Sequence, residues 1–144
     1  MKTQPLTAAE QARVDDALAA FVQMAEDAGL LDDELELDTP ELADELLIRW
    51  ASEPPQARLP DEVIASIVGA AVGDYLRQLL RVSWASAPSG AGRSIGLAAE
   101  QGGEPVLSPF DAVRDRLSQA SEGFVQDLLE EVAEEWGNLR REPA

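Results

Sequence analysis

Residues Ser66–Leu76 read SIVGAAVGDYL, two glycines four positions apart inside an otherwise apolar run at helical spacing. A glycine in a helix interior costs about 1 kcal/mol relative to alanine, so the pair costs about 2 kcal/mol unless packing offsets it. Close packing can do so, because a helix lacking Cβ atoms lets a neighbouring backbone approach and gain dispersion contacts. On a helical wheel Ser66, Gly69, Ala70 and Gly73 form a small-residue stripe. Val63, Ile64, Ile67, Val68, Val72, Tyr75 and Leu79 cover most of the remaining surface. The pattern predicts a buried helix opened by Pro60, with Gly69 and Gly73 facing a neighbouring main chain. A membrane dimerisation seam does not fit. Val63–Val72 is too short to span a bilayer, Asp74 interrupts the run, and Arg77 and Arg81 follow it.

Upstream of that rod, Thr7 and Glu10 form an S/T-x-x-E capping box. The helix it opens places Val14, Leu18, Phe21, Val22 and Ala25 on one face and ends near Gly29. The stretch LLDDELELD, residues 30–38, alternates acids with leucines and reads as an acidic connector or short edge strand. Carboxylates at every second position also suit calcium, but the loop glycine and terminal glutamate of an EF-hand are out of register. A solvated connector is therefore expected. Thr39-Pro40 reads as the cap and first turn of a second helix, with Leu42, Leu46, Leu47 and Trp50 as its apolar stripe. That helix stops before Pro54-Pro55.

Downstream, RVSWASA, PSGAG, RSIGLAAE, QGGEP and VLS read as short strands separated by glycine-rich turns. Ser108-Pro109 starts a further helix with Val113 and Leu117 facing inward. A last helix begins around Ser121, with Phe124, Val125, Leu128, Leu129, Val132 and Trp136 as its stripe. Glu130, Glu131, Glu134 and Glu135 lie mainly opposite, and Arg140 and Arg141 sit at its end. The expected fold is α+β: a mostly helical single domain over 1–144, with about five helices and a small two- or three-stranded antiparallel sheet. Residues 1–58 form an acidic helical part and 59–144 a helix–sheet–helix part.

Residues 60–118 resemble a family of small bacterial proteins classed only as a domain of unknown function. The likeness rests on VGAAVGDYL, the tryptophan-bearing strand RVSWA, a glycine turn with a return strand, and the proline-opened SPFDAVRDRL. It implies a helix–sheet–helix α+β domain with no established catalytic residues, so no site residue carries over.

Composition narrows function by exclusion. The 144 residues carry 28 acids and 11 bases, a net charge of −17. Residues 1–62 hold 16 acids against 4 bases, net −12, and residues 63–144 hold 12 against 7, net −5. This balance opposes nucleic-acid backbones and anionic membranes and favours a partner with a basic face. There is no cysteine and no histidine, which removes thiol and Ser-His-Asp chemistry and the usual zinc, iron and copper ligands. No cofactor and no bound metal are expected. Ten of the eleven basic residues are arginine, consistent with a GC-rich bacterial genome. The start, MKTQPLTAAEQARVDD, has no apolar leader and no run reaches membrane-spanning length, so the expected location is cytoplasmic.

SGAGRS, residues 89–94, departs from a phosphate loop at Ala87 and Arg93 and reads as a hairpin turn. A carboxylate-based hydrolase would need two close acids in a cleft lined by aromatics, and the chain has only seven aromatics, mostly at core spacings. The leading expectation is a non-catalytic acidic interaction module of inhibitor, immunity or adaptor type. Its candidate contacts are Asp32, Asp33, Glu34, Glu36, Asp38, Glu41 and Glu45, with Trp84 as a candidate anchor that packing on the buried helix would otherwise claim. The alternative is a small-ligand pocket between sheet and buried helix near Trp84, Arg93 and Tyr75. A homodimer through the last helix is a further possibility, although its stripe is too wide and short for a coiled coil.

Overall fold

The computed structural model describes residues 4–31, 37–89, 92–100, 105–117 and 124–136. Among them run five helices, α1 (Ala8–Asp27), α2 (Thr39–Ser52), α3 (Asp61–Leu79), α4 (Pro109–Arg114) and α5 (Phe124–Glu135). Three strands, β1 (Val82–Ser89), β2 (Gly92–Ala99) and β3 (Pro105–Leu107), lie between α3 and α4. The fold is the mostly helical α+β arrangement the patterning predicts. The sheet is antiparallel in the order β1-β2-β3, with Trp84 opposite Leu97 and Ser89 opposite Gly92. The turn expected from SGAGRS falls at positions 90 and 91, outside the described residues, between the paired Ser89 and Gly92.

Helix α3 is the hub. It packs against α1, α2, α4 and both long strands, and Ile64, Val68, Val72 and Leu76 are sealed inside. The glycines explain how so many neighbours fit. A Cβ on Gly69 would stand 2.9 Å from the Cα of Phe110, so α4 lies directly on the α3 backbone there. At Gly73 the neighbour is a side chain rather than a main chain: a Cβ would stand 2.6 Å from Cζ2 of Trp84 and 3.0 Å from Cγ of Pro109. The rod is not apolar all round. Val63 and Leu79 are 41% and 44% exposed and Ser66 is open to solvent, because the neighbouring elements cover the middle of α3 and not all of its outer flank.

Local rules account for most boundaries. The Thr7–Glu10 box forms in full, Thr7 Oγ1 accepting from the Glu10 N–H and Glu10 accepting from the Thr7 N–H. Helix α1 ends in a Schellman arrangement. Gly29 takes φ 73°, its N–H donates to Glu26, and the Leu30 N–H reaches back to Ala25. Val22, expected inside, is 52% exposed, because α1 turns Val14, Phe21 and Ala25 toward the core and leaves Val22 beside that stripe. The cap of α2 is Asp38 and not Thr39: the Asp38 backbone is extended, its Oδ1 accepts from the Glu41 N–H, and Glu41 answers by accepting from the Asp38 N–H. Thr39 is already in the helix. Ser108 caps α4 as its sequence predicts. The start of the last helix at Ser121 and its closing Arg140 and Arg141 lie outside the described residues.

Candidate functional site

The inward face of β1 carries Val82, Trp84 and Ser86, two apolar residues and one hydroxyl. A polar group in such a register must find partners, and Ser86, 1% exposed, finds them in three parts of the chain. Its backbone exchanges both hydrogen bonds with Gln4, pinning the N-terminal segment to the outer edge of β1. Its Oγ–H donates to Oε2 of Glu10 at 3.1 Å, and the same oxygen accepts from Nε of Arg93 at 2.8 Å. A second Arg93 nitrogen donates to the Ser86 carbonyl at 2.9 Å. Glu10 therefore serves two structures at once, the cap of α1 and the hairpin. Its carboxyl is held below the usual range, chiefly by the Thr7 N–H and further by the Ser86 hydroxyl.

Beside this chain opens a cleft of about 360 Å³ where α1, α3, β2 and α4 meet. Helix α1 contributes Arg13 and Ala17, α3 contributes Ser66, and β2 contributes Arg93 and Ile95. Phe110 closes the α4 side, where Asp111 also lies, bonded to Arg114 at 2.8 Å. Two cationic side chains thus flank one concavity in a strongly acidic protein. Of the three residues expected around a small ligand, Arg93 lines the cleft. Trp84 instead lies over Gly73 with its ring stacked on Phe110 at 5.7 Å between centroids, so it supplies packing behind the cleft wall. Tyr75 is half-buried on α3 and lies outside the cleft lining.

The expected acidic contacts disperse. Asp32, Asp33, Glu34 and Glu36, and with them the calcium alternative, lie outside the described residues. Asp38 and Glu41 hold each other's backbone as the α2 cap, and Glu45 is half-buried on α2. The neighbour that sequence reasoning passes over is Asp44. It is 4% exposed and accepts from the Val125 N–H at 2.6 Å and from the Gln126 amide at 3.3 Å, so it caps the start of α5 from another helix. Burial pushes its carboxyl above the ordinary value, and the two donors only partly oppose this. No sequence cue marks the role, because LADELL places Asp44 on the inward face of α2 without naming its partner. Trp50 is likewise committed: its Nε1–H donates to the Leu59 carbonyl at 2.8 Å and Arg58 lies 4.2 Å over its ring.

Exposed carboxylates concentrate elsewhere. On α5, Asp127, Glu130, Glu131 and Glu134 follow the spacing i, i+3, i+4, i+7 on the face opposite the buried Val125, Leu128 and Val132. Arg116 reaches this stripe through Glu131 at 2.8 Å. Helix α1 exposes Asp15, Asp16, Glu26 and Asp27. Among the described residues no group of three or more acids is placed to hold a metal ion, and no helix is long and apolar enough to cross a membrane. Compared with protein-family models, with curated proteins and with solved structures, the chain matches none of them.

Proposed function

We propose that this protein is a non-catalytic, acidic interaction module of inhibitor, immunity or adaptor type. It docks a protein partner with a basic surface, in the cytoplasm. The supporting observation is the disposition of its −17 charge: apolar stripes turn inward while acids stand exposed along α5 and α1. Such a field accelerates encounter with a basic face, and affinity then depends on the contacts made on docking. The α5 stripe is the face we assign to the partner, since Asp38 and Glu41 are occupied in capping α2 and Asp44 in joining α2 to α5.

Selection from a displayed library of basic peptides tests this. The expected winner binds in a sequence-dependent manner and weakens steeply between low and physiological salt. It also loses affinity when Asp127, Glu130 and Glu134 are made neutral amides. A scrambled peptide of equal composition that binds as well, or binding indifferent to those three changes, overturns the reading.

A further inference from the structure

We infer that the cleft between α1, α3, β2 and α4 is a binding site for a small organic anion. The charged head would sit between Arg13 and Arg93, and the apolar body against Ala17, Ile95 and Phe110. The site is separate from the α5 stripe assigned to the protein partner, since α5 contributes nothing to the cleft lining.

The cleft has the size and mixture that ligand sites show. Its volume of about 360 Å³ falls at the lower end of the roughly 300–1,000 Å³ typical of small-molecule pockets. Its walls combine the apolar Ala17, Ile95 and Phe110 with a few polar residues, Ser66 and Ser94 lining it beside the two arginines.

The two guanidinium groups differ in how they are held. Arg93 is preorganised, with Nε and one terminal nitrogen engaged by Ser86. Those bonds fix the side chain before any ligand arrives and lower the ordering cost of binding. Arg13 is exposed on α1 and, among the described residues, has no carboxylate within ion-pair distance. Two carboxylates oppose an anion here: Asp111, which bonds Arg114, and Glu10, whose charge is shared among the Thr7 N–H, the Ser86 hydroxyl and Arg13. The protein's overall negative field is a weaker obstacle than it looks, because at physiological salt charges beyond about 8 Å are largely screened. The nearby arginines therefore dominate what an anion feels inside the cleft.

The experiment follows amide resonances of the full chain by NMR during titration with benzoate, phenyl phosphate, inorganic phosphate and the neutral isostere benzamide. At least one of the two organic anions is expected to shift the signals of Arg13, Ala17, Ser66 and Arg93. Its affinity should exceed that of benzamide and of inorganic phosphate by about tenfold, since head and body each contribute. Arg13→Gln should cost that anion about tenfold in affinity and leave the melting temperature of the ligand-free protein unchanged. Arg93→Lys, which keeps the charge but loses the two-point hold on Ser86, should weaken binding as well. Absence of cleft shifts from both organic anions up to about 10 mM overturns the inference. So does equal binding of benzamide, or an affinity that Arg13→Gln leaves intact.

Discussion

The Oδ1 of Asp44 accepts the Val125 N–H at 2.6 Å, a bond joining residues 81 apart and closing the end of α5 from α2. The first N–H groups of any helix lack partners within it, and a carboxylate among them answers both their dipoles and their charge preference. The interaction is buried and charged, so its value depends on the state of the proton. Asp44→Ala leaves the Val125 N–H buried without this partner and should cost about 1–3 kcal/mol. Asp44→Asn keeps an acceptor oxygen and should cost less. Urea unfolding of both variants beside the parent protein measures the difference.

The same residue sets a pH dependence of definite sign. Its folded carboxyl lies above 3.8, the ordinary value, because burial disfavours the charged form. A raised acid binds its proton more readily folded than unfolded, so its contribution to stability is fully present below 3.8 and is lost as pH rises through the folded value. Glu10 has the opposite sign. Its lowered carboxyl contributes above 4.5 and loses that contribution as pH falls. Unfolding free energies measured from pH 7 down to pH 3 should show Glu10→Gln failing to lose stability with acid as the parent does. Asp44→Asn should show the reverse difference, falling behind the parent as acid is added. Parallel curves for all three proteins would refute both assignments.

Ser86→Ala tests whether the hydroxyl links the α1 cap to the hairpin. It removes the acceptor for Arg93 and the donor to Glu10 in one change, while the backbone pairing with Gln4 has no need of the side chain. The expected cost is about 1–2 kcal/mol, larger than an exposed serine would carry. In a double-mutant cycle, Ser86→Ala and Glu10→Gln should add to less than the sum of their separate costs. Strict additivity would mean the bond contributes nothing.

The glycine pair carries a sharper prediction because two effects compete. Gly69→Ala and Gly73→Ala each gain about 1 kcal/mol of helix propensity. Each also forces a methyl into occupied space, at a typical cost of about 1–3 kcal/mol. At Gly69 the obstacle is the α4 backbone, which cannot step aside without moving the whole helix start, so the substitution should be destabilising on balance. At Gly73 the obstacles are the Trp84 ring, wedged against Phe110, and Pro109. Its alanine should also shift the tryptophan emission. A melting temperature raised by either change would place α4 and Trp84 further from α3 than they are here.

What the chain discloses and what it withholds follow the range of the interactions involved. The Thr7–Glu10 box, the Ser108-Pro109 start and the close approach at Gly69 are written within one or two helical turns, and pattern alone recovers them, whereas the side chain that fills the space at Gly73 comes from β1. Even there, a four-residue window misplaces a cap. Asp38 and Thr39 are both good caps, and only the extended backbone at Asp38 decides between them. Val22 looks like stripe and is surface, because the width of a buried face depends on which neighbours arrive. The cleft is half-visible: Arg93 stands out beside its turn, but Arg13 and Ser66 join it only when α1 and α3 pack. Asp44 and Ser86 are the extreme cases, since each has a partner more than seventy residues away.

The acids of α5 offer a test in which stability and function should move in opposite directions. Asp127 with Glu131, and Glu130 with Glu134, are like charges four residues apart on an exposed face. Such pairs cost about 0.2–0.5 kcal/mol each, and of these four acids Glu131 alone has a described ion pair, with Arg116. Glu130→Gln with Glu134→Gln should therefore leave the protein as stable or slightly more stable, by about 0.2–0.5 kcal/mol, and most clearly at low salt. The same pair of changes should slow association with a basic peptide chosen for affinity to the parent protein, with dissociation less affected. Stopped-flow rates and thermal melts on one preparation read both quantities. Loss of stability would move these carboxylates into the architecture, and an unchanged association rate would remove α5 from the docking face.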